Sequence, residues 1–404
     1  MKDRWIESTL GEAYDVRDGT HDSPKYQEEG YALITSKNLK NSSITYDRIK
    51  FISEYDYINI NKRSEVNVGD ILFAMIGTIG NPVVVKNKPD FAIKNVALFK
   101  VPNEQDSDFL KYYLESSYVK EKMQREAKGT TQKFVGLGYL RTFPISLPPL
   151  SEQKRIVAIL DEAFAGIDTA IANTEKNLAN ARELFESFLS LVFNKQSEGW
   201  EERKLGDICS ITSKLVDPRD NRFIDLKHVG AGNIVSFTGD LIQVQTARDE
   251  GLISGKFIFD EHMVLYSKIR PYLMKVARPN FIGLCSADIY PLKPLANLLD
   301  RDFLYYLLLH NKFTKYAIAG SDRAGMPKVN REHLFQYSVA LPEVFEQKKI
   351  TEQLDVIAIE SHKIEIIYKQ KLNSLKELKQ SLLQKAFSGK LTAKPDKLID
   401  ENVA

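Results

Sequence analysis

From residue 350 onward, apolar positions recur by alternating steps of four and three: Ile350, Leu354, Ile357, Ser361, Ile364, Tyr368, Lys371, Leu375, Leu378 and Leu382. This heptad spacing lays a mostly apolar seam along one side of a helix, the pattern that a helix buries against a second helix. A matching seam runs through Ile156, Leu160, Ala163, Ile167, Ala170 and Thr174, then Ala181, Leu184 and Phe188. Neither stretch has an internal proline, since Pro149 is followed next by Pro218 and Pro342 by Pro395. Gly166 is the one weak point, at roughly 1 kcal/mol against Ala. The pattern predicts one long helix over 147–193 and a second over 341–388, with Ser151 as N-cap and Glu152 in the positive first turn of the first. Each would be a rod of roughly 64 Å, too long for a compact domain. With matching seams, the two suit an antiparallel coiled coil.

Elsewhere the apolar runs are short and end in turn residues, which predicts strands over 31–35, 69–75, 82–85, 263–267 and 281–285. Helical periodicity returns over 106–128 and 301–319. The fold class is α+β, with mostly antiparallel or irregular sheet.

These elements occur twice. Pro148 falls on Pro342, Glu152-Gln153-Lys154 on Glu346-Gln347-Lys348, Ile156 on Ile350 and Leu160-Asp161 on Leu354-Asp355, all at an offset of 194. Leu184, Ser187, Leu189 and Phe193 meet Leu378, Ser381, Leu383 and Phe387 at the same offset. Asp108-Phe109-Leu110 and Tyr112 match Asp302-Phe303-Leu304 and Tyr306, and Trp5 with Leu10-Gly11 matches Trp200 with Leu205-Gly206. An ungapped offset of this length marks an internal repeat. Between the matched posts the two halves differ almost completely. The domain reading is a globular unit over 1–146, a long helix over 147–193, a linker over 194–199, a second globular unit over 200–340, a second long helix over 341–388, and a polar tail over 389–404 that frays.

Composition adds bounds. The chain has 404 residues, 43% apolar and 27% charged, as in ordinary globular proteins of two or three domains. No apolar run approaches the eighteen or so residues of a membrane span. Met1-Lys2-Asp3-Arg4-Trp5 lacks the apolar core of a secretory signal, so the expected compartment is cytoplasmic. Cys209 and Cys285 stand alone in separate strand-like runs, which predicts neither disulfide nor thiolate metal site. A net charge of +2 speaks against wholesale nucleic-acid binding. Local patches decide that question, however, and 111–155 hold nine cations against four acids.

Catalytic motifs are missing. There is no phosphate-binding Gly-x4-Gly-Lys-Ser/Thr, and Gly230-Ala231-Gly232 and Gly136-Leu137-Gly138 both lack the third glycine of a dinucleotide loop. Gly77-Thr78-Ile79-Gly80-Asn81-Pro82 lacks the Asn/Asp-Pro-Pro-aromatic run of an amino-methyltransferase. Glu152-Gln153-Lys154 and Glu346-Gln347-Lys348 satisfy a nuclease Glu-x-Lys, but at helix starts rather than at strand ends. The six histidines show no metal spacing.

Leu147-Pro148-Pro149-Leu150-Ser151-Glu152-Gln153-Lys154-Arg155-Ile156 and the closing Leu382-Leu383-Gln384-Lys385-Ala386-Phe387-Ser388-Gly389-Lys390-Leu391 resemble the DNA-specificity subunit of type I restriction-modification systems. So do Gly69-Asp70-Ile71-Leu72-Phe73 with Gly77-Thr78-Ile79-Gly80, and Lys268-Ile269-Arg270-Pro271-Tyr272-Leu273 with Cys285-Ser286. The resemblance covers the whole chain; Glu343-Val344-Phe345 departs from the family's Pro-Leu at one turn. It implies two target-recognition domains, each reading half of a split double-stranded DNA target, held apart by the two helices. Two methyltransferase subunits dock on those helices and restriction (motor) subunits join them. No cofactor is expected on this chain; S-adenosylmethionine, ATP and Mg belong to the partner subunits.

The residues point the same way, because a constant frame with divergent contents suits two different half-sites. Candidate DNA contacts are Lys37, Asn38, Thr78, Thr130, Thr131, Gln132 and Lys133 in the first unit. In the second they are Lys227, His228, Lys268, Arg270, Arg323, Lys328, Asn330 and Arg331. The paired helix starts offer equivalent partner contacts at Glu152, Gln153, Arg155, Glu346, Gln347 and Lys349. The rival reading is a pseudo-two-fold protein scaffold without DNA recognition.

Overall fold

The computed structural model describes residues 5–130, 132–194, 199–211, 214–321 and 327–393. It divides into two compact units, 1–173 with 371–404, and 174–370. The divisions fall inside the long helices, so each unit contains half of both.

In unit 1, Ile6–Thr9 pairs antiparallel with Pro144–Leu147. A four-stranded antiparallel sheet runs in the order Asp15–Asp18, Val96–Lys100, Ile71–Ala74, Gly80–Val84. A three-stranded sheet holds Lys50–Ile52, Tyr31–Ile34 and Phe91–Ile93, the last two parallel. Helices Ser107–Glu115 and Ser117–Glu126 follow the sheets. The core joins Phe73, Phe99, Phe109 and Leu110 to Ile156, Leu160 and Phe164 of the first long helix, and to Leu383 and Ala386 of the second. Each fully buried Leu or Phe contributes about 1.5–3 kcal/mol by transfer from water.

Unit 2 repeats the plan. Glu201–Lys204 pairs with Ser338–Leu341, and the four-stranded sheet runs Cys209–Ile211, Ile289–Pro294, Val264–Ser267, Val276–Ala277. Lys227–Val229 lies parallel to Gly283–Cys285, as Tyr31–Ile34 does to Phe91–Ile93, within a five-stranded sheet. The repeat therefore extends through the interiors of the units. Their four-stranded sheets share one plan, whereas the second sheet has three strands in unit 1 and five in unit 2, where Leu215–Val216 and Lys256–Phe259 extend it.

The long helices span Leu150–Asn194 and Val344–Phe387. The first starts before Ser151, because the amides of Glu152 and Gln153 both donate to the Pro149 carbonyl. Ser151 is an exposed first-turn residue, not the cap. The seam keeps its heptad period and holds at Ile350 and Ile357, but from Ile364 onward every second step lies one position to the side. Leu354, Ser361, Tyr368, Leu375 and Leu382 face inward as expected, whereas the later alternates are Glu365, Leu372 and Lys379. Ile364 and Leu378 stand 38% and 47% exposed. The first helix shifts alike, burying Phe164 and leaving Leu184 63% exposed.

The helices expected over 106–128 and 301–319 are each broken in two. Ser116 turns extended between Ser107–Glu115 and Ser117–Glu126, its hydroxyl donating to Tyr113 O (2.7 Å) and accepting from Val119 N. His310 holds the same place between Arg301–Leu309 and Asn311–Ala319. The tail also differs from expectation as far as residue 393. Leu391 packs on the core of unit 1, and the buried Thr392 hydroxyl donates to Glu152.

Candidate nucleic-acid interface

In each unit, one central strand of the four-stranded sheet exits into a segment that the chain reaches again after the second short helix. In unit 1, Val135 N donates to Met75 O (3.0 Å) and Gly77 N to Lys133 O (2.9 Å). Lys128 and Phe134 exchange two backbone hydrogen bonds, closing the loop 129–133. The turn needs glycine at 129: φ is +98° there, and a Cβ would meet Gln132 O at 2.3 Å. Thr78, Thr130, Gln132 and Lys133 are exposed on this loop pair.

Unit 2 builds the same junction. Val329 N donates to Lys268 O (2.8 Å) and Arg270 N to Pro327 O (2.9 Å). Ile269 bridges Lys328 as Ile76 bridges Phe134. The Lys268 Nζ donates to Ala287 O at 2.5 Å and lies 5.0 Å from the Tyr290 ring centroid. Burial pushes this ammonium's pKa down, helped by the charges of Lys328 and Arg331. Lys328 lies 4.0 Å from Asp288. Arg270 is exposed in left-handed backbone, with φ at 51°. Asn330 is exposed but engaged, its side-chain oxygen accepting from His333 N (2.7 Å) to cap the short helix Arg331–Phe335. The junction of unit 2 thus gathers Lys268, Arg270, Lys328 and Arg331, while that of unit 1 sets Lys128 and Lys133 among neutral hydroxyl and amide groups.

The remaining candidates separate. Lys37 is exposed on a 3-10 turn, Ser36–Asn38, past Tyr31–Ile34. Asn38, expected to contact DNA, is instead buried as a strut: its Oδ1 accepts from Thr35 N (3.0 Å), and its Nδ2 donates to Thr45 O (3.0 Å). His228 is likewise internal, its Nδ1 3.0 Å from Glu250. Burial pushes its pKa down although Glu250 opposes the shift. Lys227 is exposed above the Phe281 ring, on a strand residue paired with Gly283; Lys268 bonds past the other end of that strand. Thr131 and Arg323 lie outside the described residues.

Among the partner-contact candidates, Gln153 and Gln347 are corrected: they are 1% and 0% exposed and cannot face another protein. Gln153 Oε1 accepts from Asp106 N (2.9 Å), and its Nε2 donates to Gln105 Oε1 and Pro148 O. Gln347 Oε1 accepts from Asp300 N (2.8 Å), and its Nε2 donates to Leu298 O and Pro342 O. Each amide ties the start of a long helix to the start of the short helix packed on it. Arg155, Glu346 and Lys349 are exposed, Lys349 over the ring of the 70%-exposed Phe345. Glu152 is half-covered by its bond from Thr392 and its 3.7 Å pair with Arg155.

Sequence reasoning passed over a second pair of struts. The Tyr112 hydroxyl donates to Asp161, and the Tyr306 hydroxyl to Asp355 (2.5 Å). All four residues sit on the repeat offset, which was the available signal. Among the described residues no His, Cys, Asp or Glu cluster could hold a metal ion, and no helix is long and apolar enough to cross a membrane.

Comparison with known proteins agrees with this architecture. The chain is 28% identical over 336 residues to the type I restriction enzyme EcoDI specificity subunit of Escherichia coli, covering 74% of each. It is 26% identical over 380 residues to the MjaVIII specificity subunit of Methanocaldococcus jannaschii, covering 83% of this chain and 82% of that one. Its fold matches a chain solved in work on complex assembly and conformational transition of the type I R-M system, with a TM-score of 0.75 at 19% identity, over 96% of this chain and 98% of that one. The HsdS subunit of Thermoanaerobacter tengcongensis matches with a TM-score of 0.54 at 20% identity, over 96% and 97%. The profile of the type I restriction modification DNA specificity domain matches twice, over residues 2–180 and 197–377. With both halves matched, the chain belongs to the type I restriction-modification DNA specificity family.

Proposed function

We propose that this chain is the non-catalytic specificity subunit of a type I restriction-modification complex, with each unit reading one half of a bipartite, asymmetric DNA target. The observation that carries the reading is the pair of equivalent junctions, 75–78 with 128–135 and 268–270 with 327–331. One backbone arrangement displays two different sets of side chains. Base edges are distinguished by side-chain donors and acceptors, while a common frame only positions them. Two such surfaces with different chemistry therefore read two different short sequences. The exposed helix starts around Arg155 and Lys349 take one methyltransferase subunit each, and restriction subunits join that assembly. S-adenosylmethionine, ATP and Mg act on those subunits.

The test is single-molecule sequencing of methylated adenines in a host expressing this chain with its methyltransferase subunit. The expected result is one motif with two dissimilar specified halves around unspecified bases. A perfect palindrome would overturn the asymmetric reading. Transfer of labelled methyl groups to DNA by the purified chain alone would overturn the non-catalytic one.

A further inference from the structure

The two units differ at one internally duplicated site. In unit 2, Arg278 leaves the strand Val276–Ala277 and spreads its guanidinium between two carboxylates, 2.5 Å from Asp355 and 3.1 Å from Asp302. It also lies 4.6 Å and 5.3 Å from the ring centroids of Tyr305 and Tyr306. Arg301 adds a second guanidinium on Asp302 at 2.9 Å. A planar fork between two carboxylates and over aromatic rings is the geometry that suits arginine and not lysine.

Unit 1 carries the same two carboxylates and one of the two rings without the arginines, and Lys111 stands where unit 2 has Tyr305. Asp161 stands for Asp355, Asp108 for Asp302 and Tyr112 for Tyr306, and the Tyr112–Asp161 bond is kept. Sheet register identifies the missing donor independently of the sequence offset. Leu72 pairs with Val83 where Leu265 pairs with Ala277, so the next residue, Val84, occupies the place of Arg278. The counterpart of Arg301 is Ser107, whose hydroxyl is taken up by Gly69 O (2.6 Å). Among the described residues neither Asp108 nor Asp161 has an ion-pair partner. The nearest substitute, Lys111, rests its ammonium 4.7 Å from the Tyr112 ring centroid. Burial raises the pKa of Asp108, partly offset by the charges of Lys111 and Lys86 and raised further by Asp106 and Asp161.

We infer that the Asp108 and Asp161 carboxylates, in front of Tyr112, form a guanidinium site that an arginine of the docking methyltransferase subunit fills. The unit 2 counterpart, by contrast, is closed in cis by Arg278. The inference rests on the proposal that this subunit docks at the start of the first long helix, where Asp161 lies on the stretch that begins with Arg155. Two features select the occupant. The equivalent pair of carboxylates binds a guanidinium in the other unit, and exposed Asp161 and half-buried Asp108 are reachable from outside, with the buried Tyr112 ring behind them. The consequence is unequal docking: the site at unit 1 depends on a partner's arginine, and the site at unit 2 does not.

The experiment is native mass spectrometry and calorimetric titration of the full chain with the purified methyltransferase subunit, at low and high salt. Variants are Asp108→Asn with Asp161→Asn, which removes the acceptor charge, and Val84→Arg, which supplies the guanidinium in cis. Both should bind one subunit as the unaltered chain does and the other on the order of tenfold more weakly, with little remaining salt dependence at the weakened site. A thermal midpoint for Val84→Arg at or above the parent's shows that the loss is not unfolding. If both variants bind two subunits with parental affinity, the inference is overturned while the docking proposal stands. If the unaltered chain binds no methyltransferase subunit, the docking proposal fails first and takes the inference with it.

Discussion

Gln153 and Gln347 occur in the two units at the same place and share two bonds, accepting from the amide at the start of a short helix and donating to the carbonyl of a proline before their own long helix. The third bond goes to the Gln105 side chain or the Leu298 carbonyl. The junctions at 128–135 and 327–331 also occupy one place, yet hardly a side chain is shared between them. The difference teaches what each position answers to. A buried amide must satisfy fixed backbone donors and acceptors, so the frame tolerates little change. An exposed loop on a satisfied backbone has no such obligation, and its side chains are free to suit a ligand. Constancy in the struts and freedom in the loops is the arrangement that a reader of two unlike half-sites requires.

Breaking the struts should give the largest and most even effect. Gln153→Ala and Gln347→Ala each remove one acceptor and two donated bonds from a dry site, at about 3 kcal/mol. Denaturant unfolding of the two variants should show similar losses. A loss of more than about 2 kcal/mol in one and none in the other would show that the frames are not equivalent.

The next contrast is acid stability. Burial lowers the pKa of His310 to about 4 from 6.5, while the same junction in unit 1 holds the non-titrating Ser116. The imidazole is neutral in both folded and unfolded chains above pH 6.5, so stability is complete there. Between pH 6.5 and about 4 only the unfolded chain takes up the proton, and stability falls. At pH 5 the loss should be about 2 kcal/mol, confined to unit 2. His310→Ser should flatten that dependence; hydrogen exchange resolved by unit at pH 7 and pH 5 measures it.

A smaller effect separates the two junctions themselves. Lys268, Arg270, Lys328 and Arg331 gather on unit 2, whereas unit 1 sets Lys128 and Lys133 among the uncharged Thr78, Thr130 and Gln132. Lys328→Ala or Arg331→Ala should each lower the logarithmic salt slope of DNA binding by about 1. Thr130→Ala should leave that slope alone and relax the specified sequence of one half-site. Equal salt slopes for all three variants in the assembled complex would count against a cationic reader in unit 2.

The frame was legible because identical residues recur at one offset, and hydrophobic spacing alone gave the long helices. The seam was misread at Leu184, Ile364, Lys371 and Leu378, which stand exposed, for a physical reason. A helix pair in a partly exposed spacer buries a narrow strip, and polar residues enter it when paired. Glu365 lies between Arg182 (3.1 Å) and Lys369 (3.0 Å), and Lys379 reaches Asp168 at 2.5 Å with Phe164 beneath it. Counting apolar residues prefers Ile364 and Leu378, which stand outside. The polar candidates failed similarly at Asn38, His228, Gln153 and Gln347, since a buried strut and a surface reader use the same residue types. Only the three-dimensional bonding distinguishes them. The loops at 129–133 and 320–331 were expected at equivalent places because they follow equivalent helices, and the junctions at 128–135 and 327–331 do share one backbone arrangement.

The central claim is that the two units read separately, and one exchange tests it most directly. Residues 1–146 are replaced by the corresponding residues of another specificity subunit with a known, different motif, and methylated adenines are mapped in a host expressing the hybrid with its methyltransferase. The account predicts a motif in which one half changes to that of the donor while the other half stays as in the parent. A motif unchanged in both halves, or altered in both, would contradict it.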